Sequence, residues 1–212
     1  MTGAVGALLA EVAGGSYPPP DGSVTLLPQP SPRDAGVFGF TAHAVIFADA
    51  DRDWITGQLL PGDLGAPMSP AFLAGLAERT GRRVNGIDLL CTAEPLPGPP
   101  ALPLVPLTDS DHPRVARARR YRDRVRVWQA VGGVVLIGAG IARRWEVAVE
   151  VDPDARGKGL GRELAMAARH LIPPDVPLWA QVSPGNAASV RAFLAAGFTP
   201  VGSEALLIPP GT

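Results

Sequence analysis

Apolar and polar positions fall into two patterned blocks in this chain, with a proline-rich stretch between them. In the second block, Arg124 to Ala130 alternates Arg-Val-Arg-Val-Trp, and Gly132-Gly133 marks a turn. Val134 to Ile141 is a second apolar run, Arg143-Arg144 a second turn, and Trp145 to Val151 a third, β-branched and alternating, so the three read as a meander. A helical pattern from about Gly159 to His170 leads to the short apolar run Leu178 to Val182. A strand reached through a helical crossover should lie parallel to 145–151. Asn186 is placed to cap a helix over Ala187 to Ala196, and Gly197 to end it. Phe198 to Val201 and Glu204 to Ile208 read as a final hairpin.

The first block is plainer. Val5 to Val12 suits a short helix closed by Gly14-Gly15, and Pro18 to Arg33 reads as an extended linker. Val37 to Phe47 suits two short strands joined near Thr41 to His43, and Trp54 to Leu60 a helical turn ending at Pro61-Gly62. Ser69 (N-cap) and Pro70 (N1) open a helix with Phe72, Leu73 and Leu76 on one face and Gly81 beyond its end. Val84 to Cys91 follows as a strand. Between the blocks, Pro95, Pro97, Pro99, Pro100, Pro103 and Pro106 rule out a regular helix or a central strand. The boundary is therefore expected near 95–101, giving a strand–helix–strand region over 1–95 and a second domain over 96–212. Leu102 to Leu107 suits an edge strand, and Thr108 or Asp109 can cap a helix running to about Tyr121.

Composition narrows the classes. The chain is 46% hydrophobic and 18% charged, which is globular rather than disordered. A net charge of −1 gives no overall bias toward nucleic acid or anionic membrane. Cys91 is the only cysteine, so neither an internal disulfide nor a thiolate zinc site can form. His43, His112 and His170 are scattered, and no metal centre is expected from them. Asp49, Asp51 and Asp53 alternate but lack further ligands, and read as a solvated turn or helix start. Met1 to Ala13 has no basic leader and no apolar run reaches a membrane span, so the expected setting is the cytoplasm. The run Arg114, Arg117, Arg119, Arg120, Arg122, Arg124 and Arg126 reads first as a solvated face. Its reading as a nucleic-acid patch has only Tyr121 and Trp128 for stacking.

Chemistry gathers after the third strand of the meander. Asp152-Pro153-Asp154 stops it, and Arg156, Gly157, Lys158, Gly159, Leu160 and Gly161 open the next helix. Glycines there let successive backbone N–H groups converge, and the helix start adds unpaired N–H groups and its positive end, so the loop suits a phosphate. It is not a Walker loop, since no Gly-Lys-Ser/Thr closes it, and its glycine spacing does not fit a dinucleotide fingerprint.

The series Val-Asp-Pro-x-x-Arg-Gly-x-Gly-x-Gly at 151–161, the strand 178–182, Asn186-x-x-Ser189, and Gly197-Phe198 after one helix resembles, in order and spacing, the GNAT N-acetyltransferase superfamily over roughly 102–208. The resemblance implies an α/β (α+β) fold. Its central sheet would be mixed and mostly antiparallel, with a parallel, splayed strand pair flanked by helices. A smaller N-terminal α/β region would accompany it. Acetyl-CoA would be the cosubstrate, with no metal. The backbone of Val149 to Val151 would pair with the pantetheine arm. The N–H groups of Gly157, Lys158, Gly159, Leu160 and Gly161 would hold the pyrophosphate beside Arg156. Asn186 and Ser189 would bond to the arm, and Lys158 or Arg191 could meet the outer phosphate.

The implied activity is direct acyl transfer to a primary amine, on a small molecule or a protein. Glu146 and Glu150 are the candidate general bases, and the backbone N–H of Val151 or a neighbour is the oxyanion donor. Simple alternation puts both glutamates on one face, while the bulge common in the family's strand would break that parity. Either glutamate could instead pair with an arginine of the meander, for instance Arg124 or Arg126. Two departures stand out. Phe193 occupies the position of a tyrosine that often protonates the leaving thiolate, and Leu107 to Arg122 has room for about one helix where two are usual. Residues 37–91 could then supply the missing acceptor wall, as a reduced, cofactor-free half. The alternative is a non-catalytic acyl-CoA-binding sensor or partner module. A nucleic-acid-associated acetyltransferase is weaker still. A homodimer is allowed, and neither membrane nor nucleic acid is an expected partner.

Overall fold

The alternation read along Arg124 to Val151 becomes three antiparallel strands in the computed structural model, which describes residues 3–60, 62–108 and 112–210. The chain divides into two compact units, 1–90 with 201–212, and 91–200.

In the 91–200 unit, β5 (Val105–Leu107), β6 (Asp123–Ala130), β7 (Gly133–Ala139), β8 (Trp145–Val151) and β9 (Leu178–Val182) lie side by side in the order β9-β8-β7-β6-β5. The pairs from β5 to β8 are antiparallel, and β8 and β9 are parallel. The sheet is thus mixed, mostly antiparallel, with one parallel pair. That pair holds only at Trp145↔Leu178 and Glu146↔Trp179, and beyond it the two strands part. The β7–β8 register runs through seven consecutive partners without a shift, so the family's bulge is not in this pairing. An irregularity falls instead between Asp123 and Arg126 on β6, where Arg124 takes φ 52°.

Unbroken parity gives β8 two faces. Ala148 sits in a cluster with Val115 and Ala118 of α4 (Pro113–Tyr121), Val127 and Leu136. Glu146 and Glu150 share that face by alternation. Val151 lies against Gly161 of α5 (Leu160–Ala168) on the other face. The next helix, α6 (Ala187–Ala195), packs against α5 and β9. Among the described residues a single helix fills the stretch between β5 and β6. It is capped by His112, whose Nδ1 accepts from Arg114 N–H at 3.1 Å. Thr108 is not the cap, and Asp109 lies outside the described residues.

In the other unit, β2 (Ala35–Phe40) and β3 (His43–Phe47) form the expected pair of short strands. Ala35, Val37, Ala44 and Ile46 pack with Ile55 of α2 (Arg52–Gln58) and with Phe72, Leu73 and Leu76 of α3 (Pro70–Arg79). The N-terminal helix α1 spans Gly3–Ala13 and buries Val5, Leu9 and Val12. The strand after α3, β4, spans Arg83–Ala93.

Two expectations fail here. The segment read as a linker holds β1 (Val24–Leu27), parallel to β3. Four residues among prolines show no readable period, and the strand is fixed from outside by the buried His43 ring, which bonds Thr25 Oγ1 at 2.9 Å and lies 3.1 Å from Pro19 O. The final hairpin is one strand, β10 (Thr199–Ile208), whose residues 203–207 pair with β2. Gly202 is there for close approach and not for a turn: a Cβ on it would overlap the carbonyl oxygen of Gly39. Asp51 caps α2 by accepting from Trp54 N–H at 2.7 Å, which gives the alternating aspartates a structural role.

Candidate active site

Where β8 and β9 part, the chain builds a fork with a closed end and an open one. The closed end is ionic. Glu146 is buried, and its two oxygens accept from different guanidiniums: Arg122 Nε at 2.7 Å on Oε2, Arg144 Nε at 2.8 Å on Oε1. Burial alone would raise its carboxyl pKa. The charges of Arg144 and Arg122 and their hydrogen bonds outweigh burial and lower it from 4.5 to about 2. Gly140 makes the space, since a Cβ there would overlap the Glu146 carboxylate. Arg144 is fully buried across the Trp179 ring, 5.4 Å from its centroid. Arg122 also reaches β9, donating from Nη2 to Gln181 Oε1 at 3.0 Å.

The open end is a solvent-facing cleft of about 470 Å³ between the start of α4 and the end of β8, lined by His112, Arg114, Arg117, Glu150, Asp152 and Arg156 among others. Glu150 Oε2 accepts from both Arg114 Nε (3.0 Å) and Nη2 (2.6 Å). Its Oε1 lies 3.7 Å from Arg156, beyond hydrogen-bond reach, and remains an open acceptor. The Glu150 side chain is 30% exposed, against 5% for Glu146.

Past this cleft runs the glycine-rich loop. Gly157 and Gly159 take φ 75° and 91°, which bends the chain so that neighbouring N–H groups converge. The N–H groups of Gly157, Lys158, Gly159, Leu160 and Gly161 donate to nothing within the described residues. Five consecutive donors at the start of a nine-residue helix form a cradle that suits a diphosphate. The loop's cations are turned back on it: Lys158 Nζ donates to Asp154 O at 2.7 Å and Arg156 Nε to Val151 O at 3.2 Å. On the facing side, Asn186 Oδ1 caps α6 by accepting from Ser189 N–H at 3.1 Å, which leaves the amide nitrogen of Asn186 as its remaining donor group. Phe193 is buried edge-to-face on Phe198, centroids 5.0 Å apart, so no hydroxyl stands at that position.

The glutamates' partners are not the arginines first considered. Arg126 pairs across to Ile137 and so belongs to the Val147 face; it stacks on Trp128 and Trp145 and donates to Leu171 O at 2.9 Å. Arg124 sits at the strand irregularity. Sequence reasoning passed over Arg114, Arg122, Arg144 and Gln181. The first two were submerged in a run of seven arginines. Arg144 read as a turn residue, although Arg144-x-Glu146 on a strand edge was the available signal.

Residues 104–198 match the family model described as Acetyltransferase (GNAT) family. No curated protein matches the sequence. Among solved structures, a GCN5-related N-acetyltransferase from Kribbella flavida is 19% identical, with a TM-score of 0.43, over 66% of this chain and 64% of that one. A GCN5-related N-acetyltransferase from Sphaerobacter thermophilus is 16% identical, with a TM-score of 0.38, over 68% of this chain and 58% of its own. The chain therefore spans less than two thirds of either.

Proposed function

We propose that the protein is an acetyl-CoA-dependent N-acetyltransferase that moves the acyl group to a primary amine by direct transfer. The observation that carries the reading is the row of five N–H groups, Gly157 to Gly161, without a partner among the described residues, at the mouth of the parted strands. The cradle takes the diphosphate of acetyl-CoA, the freed edge of β8 at Val149 to Val151 pairs with the pantetheine arm, and Asn186 and Ser189 flank it from α6. The acceptor enters the cleft beside α4. Glu150 Oε1 receives the ammonium and takes up its proton, directly or through a water. The neutral nitrogen attacks the thioester carbonyl; a C–N bond forms, the C–S bond breaks, and the thiolate takes up a proton released from nitrogen. Asp152 N–H is engaged by Gly132 O at 2.8 Å, which leaves Val151 as the backbone donor suited to the developing oxyanion.

Of the two glutamates, the geometry favours Glu150 as the base. Glu146 has both oxygens engaged and a depressed pKa, which makes it a poor proton acceptor. A second reading, an acyl-CoA-binding module without turnover, is favoured by one observation: the buried Phe193 where the family often offers a hydroxyl acid. Thiol release from acetyl-CoA across a panel of primary amines, beside Glu150→Gln, decides between them. Amine-dependent release that falls in the variant supports the transferase. Tight acetyl-CoA binding with no amine acetylated supports the module.

A further inference from the structure

The cleft between α4 and the end of β8 carries charges of both signs. Its described lining holds three arginines, Arg114, Arg117 and Arg156, against two carboxylates, Glu150 and Asp152. His112 adds no charge while its Nδ1 accepts the N–H that caps α4. Positive charge is thus in excess where a cationic amine has to arrive. The three guanidiniums are not equally committed. Arg114 is occupied by Glu150 Oε2 through both Nε and Nη2. Arg117, one turn along α4, is held against the Tyr121 ring, 5.2 Å from its centroid. Arg156 donates through Nε to Val151 O, and its Nη groups donate to nothing among the described residues. Glu150 Oε1 and Arg156 Nη2 therefore line the cleft side by side, 3.7 Å apart and not bonded to each other. A ligand that meets both needs a donor and an acceptor held equally close on one small skeleton. The ammonium and carboxylate of an α-amino acid, joined through a single carbon, are such a pair.

We propose that the acceptor is a free α-amino acid, with its ammonium on Glu150 Oε1 and its carboxylate on Arg156 and Arg117. This rests on the N-acetyltransferase reading and deepens it. The transfer step is unchanged: the carboxylate is a spectator, and the product is the N-acyl amino acid. A carboxylate on guanidinium N–H groups makes charge-assisted bonds, about twice as strong as neutral ones. A carboxamide in its place keeps a carbonyl acceptor and loses the charge. A simple amine loses both, and a polyamine brings further positive charge to a cleft where it is already in excess.

The test measures thiol release from acetyl-CoA with the common α-amino acids, their carboxamides, the matching decarboxylated amines and a linear polyamine. The wild type is expected to use at least one amino acid with kcat/KM about tenfold or more above its carboxamide, although the carboxamide's amine is the more easily deprotonated. Arg156→Gln and Arg117→Gln should bring that ratio within about threefold, with KM for acetyl-CoA and thermal unfolding followed separately. Arg117→Lys keeps the charge and should hold more of the ratio than Arg117→Gln. A residue that only supported the fold would lower both substrates alike and leave the ratio where it was. Carboxamides, simple amines or the polyamine turned over as well as the amino acids would overturn the proposal and leave the N-acetyltransferase reading standing. So would a ratio unchanged in both glutamine variants. If no amine of any class is acetylated, both fall.

Discussion

Glu146 and Glu150 stand four residues apart on one face of one strand, and the chain treats them in opposite ways. At the closed end of β8, Glu146 is enclosed by two guanidiniums, each oxygen taken, with a glycine cut out above it to make room. At the open end, Glu150 takes both its hydrogen bonds on one oxygen and turns the other toward a solvent-filled cleft. The same residue type on the same strand is thus a fully engaged structural ion at one end and an open acceptor at the other. What separates them is how many of the carboxylate's acceptor sites the fold has already filled.

The largest effect is expected at the closed end. Glu146→Gln leaves Arg122 and Arg144 buried against a neutral amide, and losing one partner of a buried ion pair costs about 3–5 kcal/mol. Urea unfolding should show that loss. A drop below about 1 kcal/mol would mean that the triad is not holding the fork. Acid unfolding probes the same group. A carboxyl whose folded-state pKa lies below its unfolded value stabilises the fold above the unfolded value, and that contribution disappears as pH falls through the folded one. For Glu146 the window runs from 4.5 down to about 2. Wild-type stability should decline across it, and Glu146→Gln should remove that part of the decline.

The open end should answer in rate. Glu150→Gln is expected to lower kcat on the order of 100-fold, the scale of a lost general base. Its unfolding free energy should move by less than about 1 kcal/mol, because its partly exposed pair with Arg114 is screened by solvent. If instead Glu150→Gln unfolds the protein and Glu146→Gln abolishes turnover at full stability, the contrast between the two ends is inverted. Phe193→Tyr sorts with the closed end despite its position in the family pattern. The added hydroxyl enters the Phe198 contact without a partner and should cost about 1–3 kcal/mol with no gain in turnover. A faster enzyme would show that a missing acid limits the reaction.

Local pattern carried most of the second unit. Alternation, the turns at Gly132-Gly133 and Arg143-Arg144, a helical crossover and a glycine-rich loop were enough for the meander, the parallel pair and the row of converging N–H groups, because each depends on residues adjacent in sequence. Features that depend on another strand were illegible. Gly202 looked like a turn until Gly39 was placed beside it, and β1 exists only against β3. The converging N–H groups at 157–161 could be read because they are a backbone feature at consecutive positions. The network around Glu146 could not, because Arg122 lies 24 positions before it, and Gln181, which accepts from Arg122, lies 35 after. Only the fold decides which of many arginines arrives.

The smallest effect separates two functions within one side chain at the open end. Asn186 caps α6 through Oδ1, and its amide nitrogen is the group proposed to meet the pantetheine arm. Asn186→Ser keeps a good N-cap acceptor and removes the amide. Stability should then stay within about 0.5 kcal/mol of wild type, while affinity for acetyl-CoA falls about fivefold, the worth of one hydrogen bond near 1 kcal/mol. Asn186→Ala removes the cap as well and should add a stability loss of about 1 kcal/mol to the same fall in affinity. If the serine variant binds acetyl-CoA as tightly as wild type, Asn186 belongs with Glu146 among the residues that only hold the fold, and the binding face of the fork narrows to β8 and its loop.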